Sequence, residues 1–415
     1  MRSAAGRRGT MAALAAAVAL AGLAVIAGAS GALTAENSDA APADASPVAL
    51  VRSLQILQEQ IANGNVAAHA AQSALLERIE ARFTQAPPDT WQDPRNARAA
   101  VIYLLSGGKP AMIRTLLSYD KPPAIEDRLI KGALAYVEGH EDEARDLLRP
   151  VDVRSLPPSL GGPVALVQSA LIVRQDAAGA MAFLDEARLL MPGTLVEEAA
   201  LRREIFLAGQ VDNADKFEAL AIQYVRRFRH SIYAGNFREH LAVALTRFSF
   251  AQNTNMFSRV QRILEHLDPA SRRSLYLMVA RTAVLRGKTD MARLAAEQAA
   301  AASRDGSPDG DRARLYRAIT SVLGDSYEDG MRDLARIDRK RLSVRDAELL
   351  DATQRLAGQV RKWPDGAAPG QRTIASAEPA PPVARIDTAS AAGKTINHAQ
   401  KLLEDVDKML KEADR

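Results

Sequence analysis

The 415-residue chain contains no cysteine. Disulfides, thiolate metal sites and cysteine nucleophiles are therefore excluded. Aromatic residues make up only 5% of it, so a core has to be packed with alanine, leucine and other small or aliphatic side chains. Histidine is scarce: His69, His140, His230, His240, His266 and His398. No two stand at the one-turn spacing of a helical metal pair with a carboxylate between. No zinc site, other metal or cofactor is expected, and His140, after a glycine, reads as a solvent-facing turn residue. The patterns G-x-x-x-x-G-K-[ST] and G-x-S-x-G are both missing, and no small-molecule substrate is expected. An excess of one charge is lacking too. The formal net charge is +4, yet residues 1–29 hold Arg2, Arg7 and Arg8 and no acid; without them 51 basic residues face 50 acidic ones. Nucleic-acid binding needs a clustered surplus of lysine and arginine, so no nucleic-acid partner is expected.

Long apolar runs are absent except at the start. Residues 1–10 are basic and small, and Met11 to Ala29 is uninterrupted and mostly alanine. Ala27-Gly28-Ala29 before Ser30 fits a secretory cleavage site. Residues 1–29 thus read as a signal peptide. The alternative is an uncleaved inner-membrane anchor, since about 19 apolar residues just span a bilayer. Both readings place the body in the periplasm. Residues 30–47 read as a disordered lead.

The unit that repeats is clearest from Trp91 to Leu117. Val101, Ile102, Leu104 and Leu105 line one side of a helix. Gly107-Gly108 ends it, because glycine takes the left-handed conformation at a helix C-terminus without steric cost. Pro110 suits the first turn of the next helix, which carries Met112, Ile113, Leu116 and Leu117. One such hairpin cannot bury both faces alone and needs neighbours. Similar corners fall near 107, 139, 175, 209, 252, 287 and 324, at spacings of 32 to 43 residues. Tetratricopeptide-like repeats have a period of roughly 34 residues. The pattern predicts an all-α fold of stacked helical hairpins, a tetratricopeptide-like α-solenoid over 48–360, with an irregular helical bundle as the alternative. Leu342 to Leu356 would be the capping helix. A Pro/Ala-rich disordered linker follows at 361–394. A short amphipathic C-terminal helix is expected at 395–412, with Ile396, Ala399, Leu403, Val406 and Leu410 on one seam. Folding back or fraying is preferred for it over pairing with a partner.

Several clusters read as ordinary surface or loop. Gly161-Gly162-Pro163 has no strand before it and reads as a loop entering a helix. The acid pairs Asp142-Glu143, Glu197-Glu198 and Glu404-Asp405 read as solvated faces, with no support for glycosidase chemistry. The densest basic stretch runs from Arg226, Arg227 and Arg229 to Arg238. Its aromatics, Tyr224, Phe228, Tyr233 and Phe237, recur near helical spacing and read as core. Its arginines would line a face that is either merely solvated or a site for an acidic partner. The partner-contact candidates are Arg226, Arg227, Arg229, Tyr233, Asn236 and Arg238, with Asn236 and Arg238 preferred. The polar cluster Trp91, Asp93, Arg95 and Asn96 has a structural reading: Asp93 caps a helix that starts at Pro94, and Trp91 packs before it.

Four segments resemble the MotC family of rhizobial-type flagellar motors: VRSLQILQEQIANGN (51–65), LLERIEARF (75–83), WQDPRNARAAVIYLLSGG (91–108) and SIYAGNFREHLAVALTRF (231–248). The similarity runs from about Val48 to Leu356 and is clearest in the first third. It implies a periplasmic, non-enzymatic accessory of the stator that binds the periplasmic part of the stator protein MotB and supports flagellar rotation. It names no catalytic residue. Two other classes compete. An envelope enzyme built on helical repeats, as in some peptidoglycan-cleaving transglycosylases, needs a catalytic domain for which the repeats leave no room. An envelope assembly chaperone would share the architecture.

Overall fold

A computed structural model describes residues 46–247, 257–324 and 326–360. The signal or anchor segment, the lead to residue 45, the corner expected at 252–253, the linker 361–394 and the helix 395–412 lie outside the described residues.

Seventeen α-helices and no strand occur among the described residues. They come in pairs, in chain order α1 Pro47–Ala62 with α2 Val66–Gln85, α3 Pro94–Leu105 with α4 Pro110–Leu117, and α5 Asp127–Val137 with α6 Glu141–Leu148. Then follow α7 Pro158–Ile172 with α8 Ala177–Leu190 and α9 Leu195–Gln210 with α10 Ala214–Arg227; α11 Ala234–Arg247 and α12 Phe257–Glu265 come next, with α11 against α13 and α12 against α10 and α13. The last are α13 Pro269–Leu285 with α14 Thr289–Ala301, α15 Pro308–Val322 with α16 Tyr327–Ala335, and the single α17 Val344–Val360. Each odd-numbered helix from α3 onward contacts the odd-numbered helix before it, which makes the stack. No helix among the described residues is long and apolar enough to cross a membrane.

The ends of the helices follow from local chemistry. Side chains of Asn65, Asp176, Asn213, Asp268 and Ser307 accept from free backbone N–H groups of the first turns, which would otherwise lack partners. Asp93 does the same for α3, accepting from Arg95 N–H at 2.8 Å.

Two corners differ from expectation. The one placed at Gly209 lies two to three residues later: Gly209 is buried inside α9, and Asp212 makes the turn with φ +57°. Aspartate tolerates the left-handed region better than most residues. Gly161, Gly162 and Pro163 are not a loop but part of α7. A Cβ on Gly161 would come 2.5 Å from the Val153 carbonyl oxygen, and one on Gly162 2.5 Å from Met191 Cγ. The glycines are there for close packing, and Pro163 gives up one helical hydrogen bond.

The core has two parts. The first is built from α1 to α8, with Trp91, Phe83 and Tyr103 in edge-to-face contact at 5.1 and 5.2 Å. The second runs from α9 to α17. Helix α9 belongs to both: Ala200 and Leu207 join the first, Leu201, Ile205 and Ala208 the second. The hairpin tip between α1 and α2 joins the second part as well. Ile61, Ala62 and Ala68 pack there, α1 touches α9, and the His69 ring meets Tyr233 edge-on at 6.1 Å. A simple solenoid has contacts only between neighbouring repeats. Here the first hairpin reaches the fifth.

Candidate functional site

Helix α9 is in contact with α1, α7, α8, α10 and α11. So many neighbours leave its charges little access to water. Glu197 and Glu198, expected on a solvated face, are 1% and 0% exposed, and Glu204 is 0% exposed. This overturns the surface reading of that pair, because α10 and the loop after it cover the face. Asp142 and Glu143 stay at the surface, in the first turn of α6.

Burying a carboxylate is costly unless partners are supplied. Glu197 accepts from Gln223 at 2.9 Å, from Arg227 Nη1 at 3.0 Å and from the Gly193 N–H. Glu198 accepts from the Tyr224 hydroxyl at 2.7 Å. Burial pushes its carboxyl above the ordinary range, against Arg202 and the Tyr224 and Ser231 hydroxyls. Burial also raises the Tyr224 phenol, and Glu198 adds to it. Glu204 lies 2.6 Å from Lys216 Nζ and 3.0 Å from Arg188 Nε. Burial raises its pKa despite both cations. Asp185 accepts from Lys216 and Arg188, which outweigh burial and hold its pKa low. Such pairs add little net stability, but breaking one is costly. The network therefore penalises any other arrangement of α8, α9 and α10. These acids are closed over by their own partners, and none lines a hollow described here.

The larger hollow is a groove of about 480 Å³ between α5, α6, the C-terminal end of α7 and α9. Tyr136, Leu171, Val173, Phe206 and Leu207 supply apolar wall. Arg145, Arg174 and Arg203 supply charge, with Glu141 and Asp142 at the rim. Arg145 pairs with Asp142 at 2.7 Å, and Arg174 stands 3.9 Å from Glu141. On the groove wall, Phe206 meets His240 of α11 edge-on at 5.8 Å. A second hollow of about 380 Å³ lies at Arg273, Arg304 and Asp309, where Arg273 and Asp309 pair at 2.8 Å. Among the described residues no three His, Asp or Glu side chains are grouped to hold a metal ion.

The sequence candidates are only partly brought together. Tyr224, Phe228 and Phe237 are buried, with Tyr224 stacked on Phe237. Arg226, Arg229 and Asn236 are exposed, and Arg238 is half-buried. Arg227 is committed to Glu197. Arg229 donates to His230, and half-buried Tyr233 lies under the Arg202 guanidinium at 4.9 Å. In the other cluster Trp91 is fully buried, Asn96 donates to the Thr90 carbonyl at 3.0 Å, and Arg95 pairs with the capping Asp93. The hydrogen bonds from Arg95 hold the Asp93 carboxyl below its usual range. Sequence reasoning missed the groove. The one signal available was the doublet Arg202-Arg203 in α9, between the apolar runs Ala199-Ala200-Leu201 and Ile205-Phe206-Leu207 and next to Glu204.

Stacked pairs, a shared seam helix and an apolar groove with arginines define a helical-hairpin repeat protein. A family model described as chemotaxis protein MotC matches residues 5–415. The chain belongs to that family. The match reaches beyond the 48–356 expected from sequence segments. The chain is also 32% identical over 337 residues to chemotaxis protein MotC of Rhizobium meliloti (strain 1021), covering 81% of this chain and 77% of that protein. No solved structure matches it.

Proposed function

We propose that the protein is a periplasmic, non-enzymatic accessory of the flagellar motor. It binds the periplasmic part of the stator protein MotB and so supports rotation. The observation that carries this reading is membership of the MotC family across residues 5–415, since the relative's name is that of a chemotaxis protein. The stack of hairpins supports it, because such arrays offer extended surfaces to protein partners. The leader at 1–29, read as a secretion signal, supports the periplasm. Arg226, Arg229, Asn236 and Arg238 offer a basic contact face, whereas Arg227, though exposed, is paired with the buried Glu197. The test is a deletion strain. It should build flagella yet swim poorly, and the purified chain should capture the periplasmic MotB fragment. Normal swimming by the deletion strain refutes the proposal. Unchanged capture by a folded Arg238→Glu variant removes that contact alone.

A further inference from the structure

Ion pairing is common along these helices. Arg145 pairs with Asp142 at 2.7 Å, Arg259 with Glu218 at 2.9 Å, and Arg317 with Asp333 at 2.7 Å. Arg203 departs from this. It is half-buried in the groove between α5, α6, α7 and α9. Among the described residues its hydrogen bonding is one long contact, Nη1 to the Leu166 carbonyl at 3.4 Å. The ionisable groups that act on it are Tyr136 and a second cation, Arg202. Burial lowers its pKa, and Arg202 adds to that against Tyr136. The rim acids Glu141 and Asp142 face Arg174 and Arg145 instead. A cation withdrawn from water without a counter-ion is unfavourable. An occupant that brings a carboxylate relieves that cost. Guanidinium is shaped to take a carboxylate through two parallel hydrogen bonds.

The walls say more about the occupant. Tyr136, Leu171, Phe206 and Leu207 flank the cation. A small free anion would satisfy the charge and leave those walls wet. A peptide covers both. We propose that the groove takes an apolar segment of the protein partner that carries one aspartate or glutamate. Its carboxylate pairs with Arg203, and its apolar neighbours lie on Tyr136, Phe206 and Leu207. This deepens the reading above and rests on it: the partner is the periplasmic part of MotB.

The test is calorimetric titration of the full chain with the purified periplasmic MotB fragment. Losing one partner of a desolvated charge pair weakens binding, so Arg203→Gln should cost roughly thirtyfold in affinity and Arg203→Glu more. Replacing the matching acid of the fragment by arginine should restore binding to Arg203→Glu. Gln175 is exposed at the groove mouth, so Gln175→p-benzoylphenylalanine perturbs no packing and serves if the arginine variants fail to fold. Its photo-crosslink should fall on an apolar, acid-containing segment of the fragment. Unchanged affinity of folded Arg203 variants, or a crosslink that misses the fragment or falls on a segment without an acid, overturns the groove assignment while the functional reading stands. No binding by the unaltered chain overturns both.

Discussion

Gly64, at the tip of the first hairpin, tests whether that hairpin is docked on the second half of the core. Its φ is +93°. A Cβ placed there would stand 2.2 Å from the carbonyl oxygen of His230, a backbone atom that cannot rotate away. Gly64→Ala therefore carries two costs. The left-handed conformation costs an L-residue about 1–2 kcal/mol. Forcing the tip away from the loop after α10 adds an overpacking cost of about 1–3 kcal/mol. Gly139 is the internal control: its φ is +82°, and nothing lies within 4 Å of its would-be Cβ. Gly139→Ala carries the first cost only. The two variants should thus differ by about 1–3 kcal/mol in urea denaturation followed by far-UV circular dichroism. A stacked array need not unfold in one step, so amide exchange provides the local reading. Gly64→Ala should speed exchange in α1 and α2, and Gly139→Ala should leave those helices protected. Equal destabilisation by both, with equal protection of α1 and α2, refutes the docking of the first hairpin.

The seam on α9 yields two further predictions. Glu204→Ala removes the buried acid shared by Lys216 and Arg188 and leaves both cations to Asp185 alone; it should cost up to about 3 kcal/mol, and adding Lys216→Met should recover much of it, because Arg188 keeps Asp185. No recovery in the double variant, measured by urea midpoint, argues against the pair. Glu198 titrates above its unfolded value of 4.5 in the fold, so the protonated form is favoured there. Its stability contribution is fully present below the unfolded pKa and is lost as pH rises through the folded pKa. Glu198→Gln stays neutral and can still accept from Tyr224. It should be more stable than the parent at neutral pH and should lose that advantage in acid. An advantage that is the same at both pH values contradicts the burial argument.

The hairpin stack was legible in the sequence because its determinants are local. Apolar residues at helical spacing, capping residues such as Asp176 and Asn213, and prolines such as Pro94 and Pro110 act within a turn or two of where they stand. The same holds for Asp93 and Trp91, whose capping and packing need only the adjoining helix and its neighbours. What could not be read there is what lies against α9. Glu197 and Glu198 look like a solvated pair until α10 and its loop close over them. Gly161-Gly162 looks like a loop until Val153 and Met191 are found against it. Gly64 looks like any turn glycine until His230 is seen above it, and Arg203 looks like half of a surface doublet until α5 and α7 wall it in. The chain's own order of residues determined where helices begin, end and double back. Tertiary structure alone decided which charges lose water and which face is left as a groove, because desolvation depends on neighbours that arrive from distant parts of the chain, and no local period records their arrival.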